Sequence, residues 1–187
     1  MNVDKERFKI LKGLPAYGPM YVPVTQVEKP YISPYSEGLV IRFFKSDRTS
    51  WIANFNLGLT SYSAVFEFPS TDLTVVIAGG SGYVMNRNQT RPIVTFRTAI
   101  KTAILTEQEV VAVDDTHLIT VNSMGNIWTS DRISWDGIAD LRLEGHTVFG
   151  LAHNPMHEGD DWVDFSLDLT TKQLIGVVFA AGKTPLS

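Results

Sequence analysis

Two stretches, Ala139-Asp140-Leu141-Arg142-Leu143-Glu144 and Trp162-Val163-Asp164-Phe165-Ser166-Leu167-Asp168-Leu169, alternate apolar and polar residues along most of their length. A period of two puts successive side chains on opposite faces of an extended chain, so each stretch reads as a β-strand with one buried and one wet face. Ala139, Leu141 and Leu143 are assigned to the buried side of the first strand. Val163, Phe165, Leu167 and Leu169 are assigned to that of the second.

Working outward, similar runs recur from Leu39–Phe44 and Trp51–Phe55 through Tyr62–Phe68, Leu73–Ala78, Val110–Val113 and His117–Val121 to Leu174–Ala180. Turn-forming residues at Asn56–Gly58, Pro69–Asp72, Asn122–Gly125 and Asp168–Gln173 separate most of them. Many short strands at close spacing predict an all-β, mostly antiparallel fold, a β-sandwich or barrel-like meander with at most one or two short helices. The candidate helices are Lys5–Lys12 and Thr98–Gln108. A small β-propeller-like repeat is the alternative. It rests on an echo between Thr71-Asp-Leu-Thr-Val and Thr116-His-Leu-Ile-Thr-Val, whose offset of roughly 45 residues matches a propeller blade.

At 187 residues the chain can bury a core without a metal or a disulfide. A composition of 44% hydrophobic and 19% charged residues places it among globular chains. Pro15, Pro19, Pro23, Pro30 and Pro34 punctuate a tyrosine-rich beginning. Residues 1–37 are therefore expected to form an extended arm packed on a single β domain spanning 38–187.

A formal charge of −4, without a Lys/Arg cluster interleaved with aromatics, argues against nucleic acid as a partner. The absence of cysteine removes thiol catalysis, thiolate metal sites and disulfides together. Neither a signal-peptide-like start nor an apolar run of roughly 18 to 20 residues is present, so the expectation is a cytoplasmic protein that does not insert into membranes.

Four functional patterns fail, three on spacing and one on backbone conformation. Val75 to Gly82 enters a glycine turn as a dinucleotide site does, but the third glycine of that fingerprint would fall at Met85 and no helix follows, so Gly79-Gly80 is assigned to a hairpin turn. Ser81 has Gly79 before it but Tyr83 where a nucleophile elbow needs glycine. Asp164 and Asp168 would stand roughly 13 Å apart along a strand, too far for the paired carboxylates of a glycosidase. His153 and His157 have the helical spacing of metal ligands, yet Pro155 forbids the helix.

What remains is the polar segment from His153 to Asp161, assigned to a loop, and the aromatic residues beside it. His153, His157, Glu158, Asp160 and Asp161 form a candidate divalent-metal set; no other cofactor is expected. Trp135, Asp136, Trp162 and Asp164 form a candidate partner- or ligand-binding edge. The expected function is a non-catalytic binding module, adaptor- or immunity-like, that docks a protein partner or a second copy through this acidic, aromatic edge. The alternative is a hydrolase or carbohydrate-active protein, metal-assisted at 153–161.

Overall fold

A computed structural model describes residues 6–26, 36–156 and 159–176, with only the backbone at 156, 159 and 160. The described residues contain strands and turns and no helix, so the all-β expectation holds. Among the described residues, sixteen strands form four four-stranded sheets, none closed into a barrel. The first comprises β1 (Phe8–Ile10), β2 (Val22–Val24), β3 (Leu39–Phe44) and β4 (Ser50–Phe55), in the order β1-β3-β4-β2. The second is the meander β5 (Ala64–Glu67), β6 (Leu73–Ala78), β7 (Ser81–Asn86) and β8 (Val94–Phe96). β9 (Thr102–Leu105), β10 (Glu109–Val113), β11 (Leu118–Asn122) and β12 (Ile127–Thr129) make the third. β13 (Ile138–Glu144), β14 (Thr147–Met156), β15 (Gly159–Asp168) and β16 (Leu174–Ile175) make the fourth. All pairings described are antiparallel except that of β2 with β4.

Both helical expectations are corrected. Phe8–Ile10 is an edge strand in register with β3, Phe8 opposite Phe43 and Ile10 opposite Ile41. Thr102–Leu105 pairs with β10, and Thr106 to Glu109 makes the hairpin turn, closed by the Thr106 N–H donating to the Glu109 carbonyl at 2.9 Å. In both places a neighbouring strand supplies the backbone partners, which outweighs the weak helical preference of the segment. The segment expected to be an arm contributes β1 and β2, the outer strands of the first sheet; residues 27–35 lie outside the description. The echo falls on the second strand of the second sheet and the third strand of the third, so it does not mark equivalent places in a repeat.

Contacts divide the chain into two compact units, 1–100 with 122–126, and 101–121 with 127–187. In the first unit, one face of β3 and β4 (Ile41, Phe43, Trp51, Ala53, Phe55) packs on one face of β6 and β7 (Val76, Ala78, Tyr83, Met85). Phe43 stacks on Trp51 with centroids 5.1 Å apart, and Phe55 meets Tyr83 edge-on at 5.1 Å. In the second, Val111, Val113, Leu118 and Ile133 pack with Val148, Ala152, Phe165 and Leu167. The Lys172 ammonium reaches both oxygens of the buried Glu109 carboxylate, at 2.6 and 2.7 Å, and lies 5.6 Å from the Trp128 ring, tying the β15–β16 turn to β10. No helix among the described residues is long and apolar enough to cross a membrane.

The glycine turn between β6 and β7 is as expected: Ala78 faces Ser81, and Gly79 and Gly80 have φ of 54° and 87°. Space matters as well as conformation, since a Cβ on Gly80 would lie 2.6 Å from the Thr60 hydroxyl oxygen. Gly80→Ala is expected to cost about 1–2 kcal/mol for the left-handed conformation, and more from this contact, measured by urea unfolding. The Tyr83 hydroxyl donates to the Asn56 carbonyl at 2.8 Å, and burial pushes its pKa up to about 12. The folded state thus holds the phenol neutral, and this contribution is complete below the ordinary value of 10 and lost as pH rises through about 12. Tyr83→Phe is expected to flatten the loss of stability between pH 10 and 12, followed by denaturant unfolding at each pH.

Candidate functional site: the outer face of the fourth sheet

The fourth sheet differs from the other three in having an exposed face. Register places Phe149, Leu151 and His153 of β14 on one side together with Trp162, Asp164 and Ser166 of β15, while Val148, Ala152, Val163, Phe165 and Leu167 face the other way. The core of the second unit takes up that second side, as the alternation predicts for β15.

The alternation in β13 is corrected at Ala139, while Leu141 and Leu143 lie on the core side as expected. Ala139 pairs with Leu151 and Arg142 with Phe149, so Asp140 and Leu141 together oppose Gly150 in a β-bulge, with Asp140 at φ 53°. The extra residue moves Ile138 onto the core side with Leu141 and turns Ala139 outward.

The expected loop from His153 to Asp161 is also corrected. β14 and β15 form one long hairpin, with His153 opposite Trp162, Asn154 opposite Asp161, Pro155 opposite Asp160 and Met156 opposite Gly159. Pro155 is accommodated because its nitrogen points away from β15. The N–H of His153, two residues earlier and on the same side, donates to Gly137 at 2.9 Å, and Pro155 lies past the first residue of β13, where no ladder partner waits. Of the candidate metal set, His157 and Glu158 lie outside the described residues, as does the side chain of Asp160. His153 and Asp161 sit at adjacent register positions and so face opposite sides of the hairpin.

The candidate edge fares differently. The turn from Ser134 to Gly137 docks on β14 through Ser134, a fully buried residue. Its hydroxyl donates to the Gly137 carbonyl at 2.5 Å and accepts the N–H groups of His153 (3.1 Å) and Gly137 (3.2 Å). The Trp135 N–H donates to the His153 carbonyl at 3.1 Å. Arg132 braces the turn from outside, donating from Nε to the Ser134 carbonyl (2.9 Å) and from a terminal nitrogen to that of Trp135 (2.5 Å), with its guanidinium 5.4 Å from the Trp135 ring.

This docking brings the Asp136 carboxylate onto Nδ1 of His153. The imidazole in turn lies against Trp162, ring centroids 5.0 Å apart and tilted by 39°. Gly137 sits beneath both, and a Cβ there would be 3.1 Å from Cη2 of Trp162 and 3.5 Å from Cβ of His153. Trp135 and Trp162 remain 46% and 47% exposed, so each offers about half its surface to a ligand. Asp136 is exposed, and Asp164 is exposed on the face of Trp162, two residues along β15. Asp136, His153, Trp162 and Asp164 therefore share one surface, with a buried serine and a glycine as its foundation, and Trp135 is half-exposed in the adjoining turn. A cavity of about 240 Å³ in the same unit lies nearer the start of β14, lined in part by Thr106, Glu109, Leu143 and His146.

The pairing of Asp136 with His153 bridges 17 positions, which no local spacing reveals. Ser134 and Arg132 carry no motif; their roles follow from backbone groups that the turn leaves to be satisfied. Ser134→Ala removes one acceptor and one donor among buried backbone groups and is expected to cost about 1–3 kcal/mol in urea unfolding, with the Trp162 fluorescence environment altered.

No family model matches the chain, and no curated protein does. Among solved structures it is similar to a chain of the S. cerevisiae complex of Dbp5 bound to Nup159 and Gle1 with IP6 and ADP. The identity is 14%, the likeness covers 65% of this chain and 35% of that one, and the TM-score is 0.43. A second likeness is to a chain of the complex of KlAtg21 with the coiled coil of AgAtg16, at 14% identity and a TM-score of 0.44, covering 79% of this chain and 51% of that one. The aligned part thus spans about a third and a half of those chains, and likeness of this degree transfers neither fold nor activity.

Proposed function

We propose that the protein is a non-catalytic binding module of the cytoplasm that docks a protein partner through the edge formed by Trp135, Asp136, Trp162 and Asp164. The observation that carries this reading is the half-exposed Trp162 beside the Asp136–His153 contact on the outer face of a sheet, with a second half-exposed tryptophan, Trp135, in the adjoining turn. Exposed indole rings on a braced backbone lose little conformational freedom on binding, and tryptophan is the residue most enriched among those that dominate interface energies. An adaptor- or immunity-like role uses a surface of this kind. A second copy of the chain is the other partner it would serve.

Affinity capture from the native host tests the reading. The wild-type chain is expected to retain a protein stoichiometrically, and each of Trp135→Ala and Trp162→Ala to cost about 2 kcal/mol, or roughly thirtyfold in affinity, at an unchanged melting temperature. Equal retention by the double variant removes this edge from consideration.

One observation favours the other class, a metal-assisted hydrolase or carbohydrate-active protein: a carboxylate on Nδ1 is the support that a metal-binding or acid–base histidine commonly has. On that reading calorimetric titration with zinc or calcium gives saturable heat that His153→Ala abolishes. Absence of heat, with a melting temperature indifferent to chelator, rejects it.

A further inference from the structure

The second unit repeatedly pairs a cation with an aromatic ring. Arg132 lies 5.4 Å from the Trp135 ring, Arg142 lies 5.3 Å from Phe149, and Lys172 lies 5.6 Å from Trp128. All three are within the distance at which a ring quadrupole attracts a positive charge. Trp162 shares its sheet face with Phe149 and is 47% exposed, yet among the described residues its ring neighbour is His153 and no lysine or arginine lies over it. Two carboxylates lie nearer to it on that face than Arg142, which sits further along over Phe149. Asp164 stands two residues along the same face, and the Asp136 carboxylate lies against the imidazole that supports the indole.

We propose that this surface receives an arginine or lysine side chain from a basic segment of the partner, with the aliphatic stem across the Trp162 ring and the charged head between Asp136 and Asp164. The proposal rests on the docking reading above and adds the chemistry of the partner. Charge complementarity selects the occupant, because an indole face flanked by two carboxylates attracts a cation through the ring and the carboxylates together and repels an acidic segment. A long basic side chain also covers apolar ring area while its head stays hydrated, which an ammonium ion alone does not do. Arginine is favoured over lysine, since its planar group stacks on the ring and meets a carboxylate with two parallel donors.

The test uses the full chain with octaarginine, octalysine, octaglutamate and cellohexaose as probes, followed by calorimetry and tryptophan fluorescence at roughly 0.15 M salt. Octaarginine is expected to bind saturably and more tightly than octalysine, and octaglutamate and cellohexaose not at all. Trp162→Ala is expected to weaken octaarginine by about tenfold or more, with Trp162→Phe in between because phenylalanine holds a cation less well. Asp164→Asn should weaken it several-fold, and Glu107→Gln, an equal change of charge in the β9–β10 turn, should leave it nearly unchanged. Gly137→Ala pushes on the indole from beneath without removing a side chain, and is expected to weaken binding in a protein that still melts cooperatively.

Octaarginine binding indifferent to Trp162→Ala overturns the proposal. So does a loss with Glu107→Gln equal to that with Asp164→Asn, which is general attraction to an acidic protein, or saturable binding of cellohexaose in its place. If a native partner is captured through Trp135 and Trp162 while octaarginine fails to bind, the docking reading stands and the cationic chemistry is refused. Capture unaffected by the double variant refutes the docking reading itself.

Discussion

Burial of central strands on both faces is the constraint on which the rest of the structure depends. β6, β7, β10 and β11 are buried along nearly their whole length, and β4 after its first residue. A strand with no wet face has nowhere to send its N–H and C=O groups except to strands on either side, so each must lie inside a sheet. The four-stranded order, with short or partly exposed strands such as β1, β5, β8, β9 and β12 at the edges, is the arrangement that satisfies this. It also explains why the segment before Leu39 becomes sheet: β1 and β2 occupy the two outer positions beside β3 and β4.

Three polar side chains drawn into these interiors are spent on backbone or on each other. Asn54, fully buried on β4, accepts the Gly38 N–H and donates to the Ser36 carbonyl, both at 2.9 Å. Glu109 has Lys172, and Ser134 holds together a turn and a strand end. In each case an unsatisfied buried group would cost more than the interaction adds, so the polar residue specifies which segments meet. The candidate edge is a product of the same rule. Ser134 brings the turn to β14, and Trp135 and Asp136 arrive at the surface beside His153 as a result.

Much of this was legible in the residues. Period two in Trp162–Leu169 assigned Phe165 and Leu167 to the core and Trp162 and Asp164 to the outside, and the Gly79-Gly80 turn followed from the need for positive φ. The candidate edge is legible only as composition: Trp162 and Asp164 share a face of β15, with the Asp136 carboxylate against His153 on that face. The errors share a cause. Alternation in Ala139–Glu144 places Leu141 and Leu143 correctly but Ala139 on the wrong face, because the bulge at Asp140 resets the phase before it, and a bulge is defined by the partner strand. Pro155 is read as a loop because a proline costs a ladder bond only when a neighbour is present to receive it.

The amino-acid sequence by itself determined the class of the fold, the turns and the inward or outward sense of residues in regular strands, because these depend on dihedral preference and on a period that is local. Only the tertiary structure decided that Asp136 meets His153, that Gly137 lies beneath Trp162, and that the polar segment at 153–156 is strand. Each depends on a contact between distant segments, and backbone hydrogen bonding is indifferent to the side chains that happen to be brought along with it.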